Sequence, residues 1–159
     1  MPRQVDYYFS LQSPWAYIGH KLFGEVASAY GLKVNRKPVV LVDLFSETGG
    51  LPLMKRHPVR QRYRMVELQR WRDKRGLNFQ LQPANWLFNA RLADGVVIAA
   101  IEAGRDPRSI SAAGLCGGVG RPGKCGRYVL DGEVFWGQIR IELLADALKS
   151  GRAPYRSQV

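Results

Sequence analysis

The chain has 159 residues, 46% hydrophobic and 23% charged, enough for one core and too ordinary in composition for a disordered or fibrous protein. A net charge of +11 raises nucleic-acid binding as a reading, but no nucleic-acid motif accompanies it. No apolar run is long enough to span a membrane, no basic-then-apolar leader opens the chain, and Cys116 and Cys125 form neither a C-x-x-C pair nor a zinc pattern, so a cytoplasmic protein without a metal site is expected.

Val5 to Phe9 is short and β-rich, as a buried strand would be. Ser13 is a good N-cap and Pro14 a good first helical residue. Behind them Trp15, Ile18, Leu22, Val26 and Tyr30 recur at helical spacing until Gly31 stops the helix. A serine hydroxyl is thereby expected at a helix N-terminus, where unpaired N–H groups and the helix dipole favour an anion. Plain capping would explain Ser13 equally well. Lys33 to Leu41 reads as a strand, irregular or at an edge because Pro38 lies inside it. Strand, helix and strand make a βαβ unit with parallel strands and a right-handed crossover.

Asp43 could cap a short helical turn through Phe45, and Glu47-Thr48-Gly49-Gly50 is either a simple turn or a loop bringing backbone close to a ligand. His57-Pro58 opens a long helix that Gly76 closes. Lys55, Arg56, Arg60, Arg62, Arg64, Arg70, Arg72, Lys74 and Arg75 crowd this segment against Glu67 and Asp73. Val59, Tyr63 and Val66 fall there at helical spacing, with Leu68 and Trp71 following. A solvated basic face is the first reading, a mouth attracting anionic substrates the second, and a nucleic-acid surface the third. His20 and His57 are isolated, build no metal site, and are read as unremarkable, His57 as an exposed loop residue.

Asn78 to Gln82 is expected to be extended, and Pro83 to Asn89 is a connection rich in amides and large aromatics. Asn89 would cap a helix running through Ala103 to Gly104. Residues 104–126 interleave glycines with Arg, Ser and both cysteines and show no period, so a loop or disordered stretch at the surface is expected. Its glycines match no phosphate-binding loop. Arg127 to Asp131 and Glu133 to Trp136 read as strands joined at Asp131-Gly132, a strong hairpin signal. A last helix follows from Ile139 to Lys149, with Ile141, Leu143, Leu144, Ala147 and Leu148 as its apolar face, before a polar tail.

The stretch Val5 to Tyr17 resembles the opening of the 2-hydroxychromene-2-carboxylate isomerase family, which is similar to kappa-class glutathione transferases and more distantly to DsbA. Val39-Val40-Leu41, Gly49-Gly50, Leu68-Gln69-Arg70-Trp71, Gly76-Leu77, Pro83-Ala84-Asn85 and Phe88-Asn89 fall in the family's order, and Val129 to Gln138 is a close match. The resemblance implies an α/β, thioredoxin-like fold with a reduced helical insertion between its halves. The expected divisions are 1–42 for the N-terminal half, 43–103 for the insertion, 104–126 for the glycine-rich loop and 127–159 for the C-terminal half.

The resemblance also implies a site. Ser13 would hydrogen-bond the sulfur of glutathione and stabilise its thiolate; Trp136, Gly137 and Gln138 would border glutathione; Gly49, Gly50, Asn85 and Asn89 would face an aromatic carboxylate substrate. The thiolate would add to an unsaturated ring carbon of 2-hydroxychromene-2-carboxylate, the ring would open, and rotation followed by loss of the thiol would give the trans product. A homodimer stays open and nucleic acid is disfavoured. The chain also departs from the family. The family's Val-Pro before the third strand is replaced by Lys124-Cys125-Gly126-Arg127, and its acidic residue after Gly137-Gln138 by Ile139. An inactive or degenerate member, or a relative of transferase or disulfide-oxidoreductase type, is therefore the alternative. The position that needs C-x-x-C for disulfide exchange reads Ser13-Pro14-Trp15-Ala16. The altered region is either a natural short variant or the product of a disturbed reading frame.

Overall fold

The computed structural model describes residues 3–82, 90–105 and 126–156. Its sheet has four strands: β1 (Gln4–Phe9), β2 (Lys33–Pro38), β3 (Gly126–Leu130) and β4 (Glu133–Trp136), in the order β2-β1-β3-β4. β1 runs parallel to β2, with Gln4 opposite Lys33 and Phe9 opposite Pro38, and antiparallel to β3. β3 and β4 form the expected hairpin, closed by Asp131 (φ 51°) and Gly132 (φ 88°), the doubly positive geometry of a two-residue turn that follows the strand twist. Pro38 ends an edge strand, where its missing N–H costs no ladder bond.

Among the described residues the α-helices are α1 (Pro14–Ala29), α2 (Leu41–Thr48), α3 (Pro58–Lys74), α4 (Ala90–Glu102) and α5 (Ile141–Ser150). Together with the sheet they make the α/β, thioredoxin-like arrangement expected. Val5, Tyr7 and Phe9 point to one face of β1 and are fully buried there. Tyr7 stacks on Tyr128 at 5.1 Å, and Phe23 of α1 closes on Tyr128 at 4.5 Å. Ile141, Leu144, Ala147 and Leu148 of α5 complete this cluster; Leu143, expected with them, is exposed instead. A second cluster joins Ile18 of α1 to Leu68 of α3 and Phe79.

Several boundaries and faces differ from expectation. β2 stops at Pro38, and Leu41 already belongs to α2, so Asp43 lies in that helix's first turn rather than capping it. There the carboxylate suits the helix dipole and pairs with Arg91 at 3.0 Å. Residues 78–82 form no strand. On α1 the buried positions are Pro14, Ala16, Ile18, Gly19, Phe23 and Ala27; Trp15, Leu22 and Val26 flank them and Tyr30 is exposed. On α3 the stripe is inverted: Val59, Tyr63 and Val66 are exposed, whereas Arg64 and Leu68 are buried. His57 is exposed but caps α3, its Nδ1 accepting from the Val59 N–H at 3.3 Å. The last α-helix begins at Ile141, after a 3₁₀ turn at Gln138–Arg140. Asn85, Asn89 and nearly all of the glycine-rich stretch lie outside the described residues; of its ends, Gly104 follows α4 with φ 68° and Gly126 already belongs to β3.

Candidate functional site

The chain leaves β1 through a tight turn, Ser10 to Ser13, and enters α1. The Ser13 N–H donates to the Ser10 carbonyl at 3.0 Å, and Ser13 Oγ accepts from the Ala16 N–H at 3.3 Å. With φ −94° and ψ 111° it has the extended backbone of an N-cap, and Pro14 follows at the first helical position. Ser13 is 1% exposed.

Asp94 of α4 ties this turn down. One carboxylate oxygen accepts from Ser10 Oγ at 2.9 Å and the other from the Leu11 N–H at 2.8 Å. Asp94 is itself 1% exposed, and burial pushes its carboxyl above the usual range, opposed by the two hydrogen bonds. Sequence reasoning missed it. The available signal was an acid between Ala93 and Gly95 in an otherwise apolar helix stretch, where a carboxylate must be satisfied by something distant.

A cleft of about 1630 Å³ opens beside this helix end. It gathers Gly49 and Gly50 from the end of α2 with Trp136, Gly137 and Gln138 from the end of β4, so these five residues border one space. Trp15 is the part of the α1 start that lines it; Ser13 does not. Gly49 ends α2 with φ 67°, and a Cβ on Gly50 would meet the Phe45 ring at 2.6 Å, so both glycines have local reasons. Gly137 has φ 94° and donates its N–H to the Gly126 carbonyl at 2.7 Å, which turns the chain out of β4. Gln138 is 3% exposed, yet neither its amide nitrogen nor its amide oxygen has a hydrogen-bond partner. Trp136 is exposed under the Arg127 guanidinium at 4.9 Å.

The cleft is rich in cations: Arg56, Arg60 and Arg64 line it from the α3 side. Its acids are mostly engaged. Glu133 accepts from both terminal nitrogens of Arg152, at 2.7 and 2.8 Å, which holds its carboxyl below the ordinary range. Glu67 pairs with Arg70 at 2.8 Å. Among the described residues no group of three His, Cys, Asp or Glu side chains could hold a metal ion, and no helix is long and apolar enough to cross a membrane. Both cysteines lie outside the described residues, and the α1 N-terminus carries Ser-Pro-Trp-Ala.

The comparisons with known proteins agree with this architecture. A family model described as a DSBA-like thioredoxin domain matches residues 4–112. Among solved structures, a 2-hydroxychromene-2-carboxylate isomerase aligns with TM-score 0.59 at 19% identity, covering 92% of this chain and 95% of that one. A probable DsbA oxidoreductase from Streptomyces coelicolor aligns with TM-score 0.50 at 15% identity, over 98% and 93% of the two chains. At these identities the likeness is one of fold. None of the curated proteins matches the sequence.

Proposed function

The chain belongs to the DSBA-like thioredoxin domain family, and from that premise we propose that it is a glutathione-dependent isomerase of 2-hydroxychromene-2-carboxylate or a related aromatic acid. The observation that carries the reading is the Ser13 cap at the start of α1, where disulfide-exchanging relatives need a cysteine. A hydroxyl there cannot exchange disulfides but can stabilise another molecule's thiolate.

Glutathione, when bound, would supply that thiolate as the nucleophile. Ser13 would donate its O–H to the sulfur at a helix end whose N–H groups and dipole favour an anion, and both interactions would lower the thiol pKa. Asp94 would act as a positioning residue, holding the Ser10–Leu11 turn through which Ser13 is oriented. The Gln138 amide, buried and unpaired on the cleft wall, fits a ligand made of peptide groups, since it offers one acceptor and two donors. Ile139 fits no ammonium group, so weak rather than tight glutathione binding is expected.

A second reading, an inactive member of the family, has one observation in its favour: Ser13 is almost fully buried and does not line the cleft. A pH–rate profile of isomerisation, with stability measured on the same samples, separates the two. Under the first reading Ser13→Ala lowers turnover about 10- to 100-fold near neutral pH, with partial recovery at higher pH, while stability falls by only about 1 kcal/mol. Equal turnover of the two folded proteins would reduce Ser13 to a cap. Absence of any glutathione-dependent turnover in the wild type would favour the inactive reading.

A further inference from the structure

We infer that Arg64, together with Arg56 and Arg60, forms an anion subsite in the cleft that takes the carboxylate of an aromatic or similarly flat organic acid. This deepens the reading above and rests on it for the kind of acid, but it requires neither glutathione nor turnover.

Arg64 is a buried charge with no anion beside it among the described residues. Arg64 is 7% exposed, its Nε is buried with no acceptor, and its one side-chain contact of hydrogen-bond length is from Nη1 to the Met65 sulfur at 3.5 Å. A buried guanidinium without an anion is unfavourable, because lost hydration is not replaced. Its neighbours make matters worse. Burial and the charge of Arg56 pull Arg64 down to about 9, which still leaves it protonated at neutral pH. Arg56 is in turn pulled down by burial and by Arg60. Arg60 and Arg64 stand one helical turn apart on α3, so their side chains share a face.

Arg56 cannot easily swing away. Its Nε donates to the Leu51 carbonyl at 2.7 Å, and its guanidinium lies 6.0 Å from the Phe45 ring centre. None of the acids that line the cleft neutralises the group: Glu67 and Glu133 are paired elsewhere, and Asp146 forms no ion pair with these arginines. A cluster of like charges in a cleft, with Arg56 held and Arg64 buried, is a candidate binding site for that reason.

The chemistry of the walls selects the ligand. A guanidinium fork matches a carboxylate in two parallel hydrogen bonds. Trp15, Phe45, Tyr63 and Trp71 line the same cleft, an aromatic surface suited to a flat apolar body rather than to a fully hydrated inorganic anion.

The test is calorimetric titration of the wild-type chain, without glutathione, with cinnamate, with its neutral counterpart cinnamamide, and with inorganic phosphate. Cinnamate should bind, with cinnamamide and phosphate weaker by about tenfold or more. Arg64→Met should weaken cinnamate by about tenfold or more and Arg64→Lys by less. Arg64→Met should not lower Tm, because an apolar stem replaces an uncompensated charge. Equal binding of cinnamate and cinnamamide, phosphate binding as tightly as cinnamate, no cinnamate binding, or wild-type affinity in Arg64→Met would each overturn the assignment. If Arg64→Met fails to fold, the wild-type comparison of acid with amide decides. Arg64-dependent cinnamate binding in a chain without isomerase activity would keep the subsite and remove the isomerase. Isomerisation with an unchanged KM in Arg64→Met would do the reverse.

Discussion

Asp94 and Arg64 are both charged residues in buried positions, and their surroundings treat them oppositely. Asp94 receives two donors, from Ser10 and Leu11; Arg64 receives no acceptor beyond a sulfur. Even with its donors, Asp94 is held above the ordinary aspartate range by burial. The folded chain therefore binds this proton more readily than the unfolded chain does. As pH rises from the ordinary value through the raised one, this group makes stability fall, and above the raised value its contribution is constant. Other carboxylates slope the other way, so the difference between wild type and Asp94→Asn is the useful quantity. From about pH 4 to pH 7 the wild type should lose stability relative to Asp94→Asn, measured by denaturant melts across the range. Asp94→Ala leaves the Leu11 N–H and the Ser10 hydroxyl without their acceptor and should cost about 1–3 kcal/mol near pH 7, and no less at lower pH. A wild-type advantage over Asp94→Asn that shrinks as pH falls, or an Asp94→Ala chain as stable as wild type, would contradict this account. Neither residue was legible as a buried charge. The exposed stripe Val59, Tyr63, Val66 is apolar and mimics a core face, so the pattern on α3 pointed away from Arg64. Ser13, by contrast, was legible because capping is local: the residue, Pro14 and the following turn lie together in sequence.

At the scale of elements the same distinction holds. The hairpin and the βαβ unit were readable because Asp131-Gly132 and the Ser13-Pro14 start are set by backbone preferences within a few residues. The start of α2 was not, because no side chain caps it: Val40 precedes Leu41 without a side-chain hydrogen bond. Nor was the docking of α1 on the turn after β4, which depends on Gly19. A Cβ there would lie 2.8 Å from Gln138 Cβ and 3.0 Å from Ile141 Cδ1, so only glycine allows this approach. Gly24, on the same helix, has nothing within 4 Å. Gly19→Ala should therefore destabilise by about 1–3 kcal/mol through overpacking, and should disturb Gln138 in the cleft. Gly24→Ala should stabilise by about 0.5–1 kcal/mol, since helix propensity is gained without a clash. Thermal melts of the two variants check the pair; the same sign for both would show that the packing at Gly19 yields freely.

On the scale of the whole molecule, α1 belongs to two cores at once. Phe23 and Ala16 pack with the sheet and α5, while Ile18 packs with Leu68 and Phe79. α3 is joined to the rest through this smaller cluster, burying Leu68 and the unpaired Arg64. It also carries much of the chain's positive charge, with Arg60, Arg62, Arg64, Arg70, Arg72 and Lys74 against Glu67 and Asp73. A helix with few buried apolar contacts and strong self-repulsion should open locally before the molecule unfolds. Amide hydrogen exchange should show α3 exchanging much faster than β1 and β3, whose Val5, Tyr7, Phe9 and Tyr128 are fully buried. Salt is the diagnostic, because repulsion among partly exposed charges is screened while apolar burial in the sheet is not. Raising ionic strength from about 0.05 to 0.3 M shortens the Debye length by more than half and should slow α3 exchange several-fold, leaving the strands unchanged. An aromatic carboxylate seated on Arg64 would act in the same direction, by supplying the missing anion rather than screening its absence. Leu68→Ala should remove most of the protection of α3 at either salt, since it empties the cluster that holds the helix. If α3 proved as protected as β1 at low salt, the two cores would open as one, and the crowding of arginines in the cleft would carry no energetic penalty for a ligand to relieve.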